Sequence, residues 1–195
     1  MRVLVVYCHP VPESYSASIR DVAMDVLAKG GHEARLIDLY AEGFDPVMAC
    51  AERRTYNEQA PDDPALESHI ASLKWAQAIL FIYPTWWYGL PAMLKGWLDR
   101  VWALDVVFSM PPGGGRITSL MKHVERVGVI TTCGAPFWWS FLVGQPGRKT
   151  ILRGMRALCA PLCRTMYMAH YEMDSSTDES RAGFLDKVRK KLGRW

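Results

Sequence analysis

Three short stretches gather the side chains that could do chemistry: HPVPESYS (His9–Ser16), PTWWYG (Pro84–Gly89) and TTCGAPFWWS (Thr131–Ser140). In the first, Ser14 and Ser16 stand where a helix begins, beside His9. Free N–H groups and the helix dipole at such a point attract phosphate. A serine that simply caps the helix explains the same residues. In the second, Trp86, Trp87 and Tyr88 sit in what reads as a turn, where small polar residues are usual. They could cover a flat apolar ring, or pack into a core or a neighbouring subunit. In the third, Thr131, Thr132, Cys133 and Gly134 offer hydroxyls and uncrowded backbone N–H groups. Such groups stabilise negative charge on a ring nitrogen and its carbonyl, although a routine strand-to-loop turn uses the same residues. Trp138 and Trp139 repeat the aromatic theme there.

Two familiar phosphate sites are absent from the first stretch. A dinucleotide fingerprint needs GxGxxG, and no glycine lies between Met1 and Lys29. A thiol nucleophile at Cys8 would need an arginine six residues on, where the chain has Ser14.

The 195 residues favour one domain, spanning 1–195, with a core large enough to need no staples. Half are hydrophobic, and 23 basic residues face 20 acidic ones. That excess is too small to imply nucleic acid. The five cysteines form no CxxC pair and no zinc-type cluster, so reduced thiols and a cytoplasmic location are expected. No metal is expected. The first apolar run is too short for a signal segment, and nothing approaches ~20 apolar residues.

The elements that hold these stretches follow from periodicity. RVLVVY, EARLIDL, QAILFIYP, RVGVITT and RTMYMAHY read as buried strands. Helices are expected over SASIRDVAMDVLAKGG, Pro64–Trp75, the Leu94–Trp102 stripe, GRKTILRGMRALC and about 177–192. A long polar excursion runs from Tyr40 to about Pro64, with a short helix near Ala49–Glu58. PPGGGR (Pro111–Arg116) reads as a flexible loop. Five strand–helix alternations imply an α/β doubly wound parallel sheet of order 2-1-3-4-5, with helices on both faces. Ligands of such sheets bind beyond the C-terminal strand ends, at the switch between strands 1 and 3. All three stretches fall on that rim.

With those residues in view, YPTWWYGLPAMLKGWLDRV resembles the signature of the flavodoxin-like NAD(P)H:quinone oxidoreductases, the DT-diaphorase family. The match is nearly unbroken over Pro84–Val101. HPVPESYSASI, DLYAEGFDP and TTCGAP agree in order and spacing, and the likeness weakens after about Phe137. The resemblance implies a non-covalent flavin, NAD(P)H as co-substrate, and hydride transfer by a ping-pong route to a quinone or related electrophile. It also implies a homodimer that shares its pockets. It assigns His9, Ser14, Tyr15 and Ser16 to the phosphate end of the cofactor. Pro84, Thr85, Trp86, Trp87 and Tyr88 flank the isoalloxazine, and Thr131, Thr132, Cys133 and Gly134 face its pyrimidine edge. Phe108 and Met110 fall where the partner subunit covers substrate. The family's tyrosine after T-T-G-G is replaced by Trp139, which would border the substrate. Its histidine falls near Gln145, and Cys133 takes a glycine position. No catalytic acid or base is nominated. The compact length favours FMN, with FAD the alternative.

Two other readings remain open. Some compact relatives are ancillary subunits of potassium-efflux systems, and RKKLGRW could contact a membrane transporter or be a solvated helix end. A flavodoxin-type electron carrier is the other, although such carriers tend to be strongly acidic.

Overall fold

The computed structural model describes residues 1–111 and 115–195. Part of the Pro111–Arg116 loop, namely Pro112, Gly113 and Gly114, lies outside the described residues. Five parallel strands form the central sheet: β1 (Arg2–Tyr7), β2 (Glu33–Asp38), β3 (Ala78–Thr85), β6 (Arg126–Cys133) and β7 (Arg164–His170). Their order is β2-β1-β3-β6-β7, as the alternation predicts. A small antiparallel hairpin, β4 (Phe108–Ser109) and β5 (Thr118–Ser119), was not foreseen.

Period-two alternation along the strands divides the core in two. Leu4 and Val6 of β1, with Phe81 and Tyr83 of β3, face α3 (Glu67–Trp75) and α4 (Ala92–Val101). Val3, Val5 and Tyr7, with Leu80 and Ile82, face α1 (Tyr15–Lys29) and α7 (Asp178–Leu192). Every residue of β3 from Ala78 to Pro84 is buried, which is why that strand reads as one continuous apolar run.

The excursion after β2 contains α2 (Cys50–Thr55) and is clamped to α4. The Arg100 guanidinium holds Glu52 through Nε, Asp63 through Nη2 at 2.6 Å and the Asp45 carbonyl through Nη1 at 2.7 Å. Gly96 of α4 lies so close to this segment that a Cβ there would stand 2.2 Å from the Pro46 carbonyl oxygen.

Two expectations need correction. FWWSFLV is a helix, α5 (Phe137–Val143), and not part of a loop. Apart from buried Ser140 its run is apolar on every side, so it carries no amphipathic period to read. Gly144, at φ 93°, ends it in the left-handed conformation that favours glycine. The helix expected over GRKTILRGMRALC forms, but its winding changes. It is α-helical in α6 (Pro146–Lys149), then π-type from Thr150 to Gly154, then 3-10 from Met155 to Leu158.

Candidate functional site

β1, β3 and β6 end together, and a cleft of about 730 Å³ opens beyond them. Its walls include His9, Pro84, Thr85, Trp86, Trp87, Tyr88, Thr132, Cys133 and Gly134, nine of the residues singled out in the sequence. Ala135, Met173 and Asp174 complete it. The last two come from a fourth loop, after β7, that sequence reasoning missed. Nothing in MDSS marks it chemically. Only the topology does, since β7 ends on the same rim.

The Trp-rich turn is built against local preference. Gly89 N–H donates to the Trp86 carbonyl at 3.0 Å, closing a tight turn. Its two central residues, Trp87 and Tyr88, have φ of 48° and 62°. Hairpin turns of this kind favour Asn-Gly, because a side chain in the left-handed region costs roughly 1–2 kcal/mol. Here the positions hold two large aromatics, and Trp87 is 94% exposed. Packing does not explain that placement, because the Trp87 side chain touches almost nothing. Strain held at exposed aromatics points to a ligand or partner.

The segment that follows β6 is tied to this turn from outside the cleft. Trp139 Nε1–H donates to Tyr88 Oη at 2.7 Å. Thr85 and Thr131 share a hydroxyl–hydroxyl bond of 2.8 Å. Gly147 approaches the Gly89 backbone so closely that a Cβ on it would sit 3.2 Å from the Gly89 carbonyl carbon. Gln145, buried at φ 48°, donates through Nε2 to Tyr171 Oη and accepts from Arg148 Nη1 at 2.8 Å. Cys133 is buried, 3.5 Å from the Ser140 hydroxyl.

At the other pole, His9 Nδ1 lies 3.0 Å from the Val11 N–H nitrogen and 3.2 Å from the Val11 carbonyl oxygen, and the ring's tautomer sets which of the two it pairs with. Burial lowers the pKa of this imidazole, against a raising contribution from its bond with the Val11 backbone. Ser14 does what a capping serine does: its Oγ accepts from Ala17 N–H at 3.2 Å, and it shares a bond with Tyr7 Oη. The N–H groups of Tyr15 and Ser16, in the first turn of α1, have no intrahelical acceptor. The Tyr15 hydroxyl donates to the Arg181 carbonyl at 2.7 Å, and the Ser16 side chain is buried. Cys8 is buried, and desolvation pushes its thiol up to about 12. It is a protonated core residue, not a nucleophile.

Several predicted residues do not line the cleft of this chain. Ser14, Tyr15 and Ser16 lie at its α1 end without forming wall. Thr131 is buried behind Thr132, and Trp139 braces Tyr88 from outside. Phe108 sits on the β4–β5 hairpin and Met110 just beyond β4, both away from the cleft. Among the described residues no group of three His, Cys, Asp or Glu could hold a metal ion. No described helix is long and apolar enough to cross a membrane.

The residues fit a flavin in two respects. Unpartnered aromatic faces stand at the cleft, and free N–H groups sit at the start of a 15-residue helix beside it.

Comparison with known proteins agrees with this architecture. A crystal structure of a Streptococcus mutans UA159 protein superposes with a TM-score of 0.85 at 30% identity, covering 100% of both chains. An FMN-dependent NADH-azoreductase of Bacillus anthracis, solved with FMN, shares the fold at TM-score 0.73 and 16% identity, over 99% of this chain and 98% of that one. The mouse protein named ribosyldihydronicotinamide dehydrogenase [quinone] is 32% identical over 132 residues, 56% of this chain and 54% of its own. The chain spans about half the length of the curated relatives it matches. A family model described as a flavodoxin-like fold matches residues 1–192. Strand order, the position of the cleft and that match lead to one conclusion: the chain belongs to the flavodoxin-like family.

Proposed function

We propose that this chain is a flavin-dependent NAD(P)H oxidoreductase that passes hydride, by a ping-pong route, to a quinone or a related electrophilic acceptor. The observation that carries the reading is the turn at Trp87 and Tyr88, where strained backbone holds the Trp87 indole almost fully exposed at the switch point of the sheet. The names of the mouse quinone dehydrogenase and the bacterial azoreductase support it. FMN is the favoured cofactor and FAD the alternative. When bound, the flavin supplies the hydride chemistry, and the protein supplies position and electrostatics.

On this reading the N–H groups of Tyr15 and Ser16 hold the phosphate, with Ser14 fixing the helix start and His9 turning its ring Nε2 to the same end. Trp86, Trp87 and Tyr88 flank the ring system, and Pro84 and Thr85 shape its floor. Thr132, Cys133 and Gly134 face its polar edge, with Thr131 bracing Thr85. Trp139 borders the acceptor by holding the Tyr88 phenol. A homodimer in the cytoplasm completes the reading. Phe141 and Leu142 of α5 are 67% and 69% exposed, and a second copy would cover them while bringing its Phe108 and Met110 over the cleft.

Purified protein reconstituted with FMN is expected to be yellow and to oxidise NAD(P)H in the presence of a naphthoquinone. The mass of the flavin released on denaturation decides between FMN and FAD. A protein left colourless after reconstitution with either flavin refutes the proposal. A fully active monomer by light scattering refutes the shared pocket.

A further inference from the structure

The fourth loop brings a charge into an otherwise neutral cleft. Among the described residues that line it, Asp174 is the one carboxylate, and there is no lysine or arginine. The acid does not stand free at the mouth. It lies over the Gly134 backbone, where a Cβ would come within 2.6 Å of Asp174 Oδ2. Glycine at 134 therefore leaves the space the carboxylate occupies. Asp174 has no salt-bridge partner among the described residues. Arg181, the first of the basic residues of the adjoining helix, is turned to Ser176 instead, through Nε–Oγ at 2.8 Å and Nη2–O at 3.3 Å, with Asp178 at 3.8 Å. Ser176 Oγ in turn donates to the Met173 carbonyl at 2.8 Å. The loop is thus pinned by its own bonds while its acid is left unneutralised beside Gly134.

We propose that Asp174 makes the cleft selective by charge: it admits neutral or cationic ring acceptors and disfavours rings bearing a sulfonate or carboxylate. The inference rests on the cleft being a site for ring acceptors, as proposed above. The overall charge of +3 would draw anions towards the protein. Any discrimination against them must therefore be local. Asp174 is exposed, so the effect is modest. A unit charge pair at ~6 Å in a mostly aqueous cleft is worth roughly a three- to tenfold change in affinity.

The test uses 1,4-naphthoquinone and 1,4-naphthoquinone-2-sulfonate, which differ in one anionic group. Both are titrated into protein as purified, without NAD(P)H, by quenching of tryptophan fluorescence. The same pair is then compared by kcat/KM. In Asp174→Asn the sulfonate should gain roughly three- to tenfold over the neutral quinone relative to wild type at low salt. That gain should shrink in ~0.5 M salt as the charge is screened. Asp174→Glu should keep the wild-type ratio, and so should Asp178→Asn on the same segment. An unchanged ratio in Asp174→Asn overturns the inference, as does an equal shift in Asp178→Asn, which would make the effect one of general surface charge. If neither quinone binds or is reduced, the proposed function fails, and charge selectivity at a ring site fails with it. If both bind with an unaltered ratio, only the role of Asp174 is lost.

Discussion

Trp87→Asn separates stability from function at the turn. Trp87 is 94% exposed, so at most about 6% of its surface is buried in this chain. For a side chain of ~250 Å² that is on the order of 15 Å², or ~0.4 kcal/mol of lost burial at ~25 cal/mol per Å². Against this stands the left-handed backbone at φ 48°. A bulky residue there costs roughly 1–2 kcal/mol, and asparagine carries much less of that cost. The net expectation is a protein about 0.5–1 kcal/mol more stable, with a melting temperature ~1–4 °C higher for a chain of this size. Urea unfolding of the flavin-free monomer, run beside wild type, measures the difference. Flavin retention on gel filtration should move the other way and fall. A variant destabilised by 1 kcal/mol or more would refute the strain argument and show that Trp87 packs in the free chain. A variant that is more stable and retains flavin fully would refute its contact with the ring.

Three further outcomes follow from packing, thiols and histidines. Gly96→Ala should cost ~3 kcal/mol, the upper end of overpacking, because its Cβ would meet the Pro46 backbone at 2.2 Å; Gly183→Ala, with open space around it on α7, should instead add ~0.5–1 kcal/mol in thermal melts. With a disulfide reagent at neutral pH, native protein should show one fast thiol, exposed Cys50, while buried Cys8, Cys133, Cys159 and Cys163 wait for denaturant. Burial lowers the pKa of His69 and His170 in the folded chain, and Trp97 Nε1–H donating to His69 Nδ1 at 3.3 Å also requires a neutral ring. The unfolded chain therefore binds protons first as pH drops below ~6.5, and stability should fall there by up to ~1.4 kcal/mol per pH unit for each such histidine. Unfolding free energies that stay flat from pH 7.5 to 5.5 would contradict this.

The sheet was readable because its strands are buried on both faces, so RVLVVY or AILFIY can be little else. Strand order followed from the alternation and from the handedness of crossovers. The Trp-rich turn was readable as an anomaly, although its left-handed backbone was not. Helix α5 was hidden, because a run behind a proline that is apolar apart from Ser140 has no period. The β4–β5 hairpin was hidden because two residues per strand leave no pattern. Ser14 could have been a cap or a phosphate ligand, and only the 3.2 Å bond to Ala17 shows it capping. Met173 and Asp174 look like any polar loop, and they enter the cleft solely because β7 ends beside β6.

The contact of Gly147 with Gly89 ties the Trp-rich turn to α6 through main chain alone. That tether does not depend on which side chains the turn carries. A single methyl group at 147 would act as a shim, levering the turn outward without altering any residue that faces the ligand.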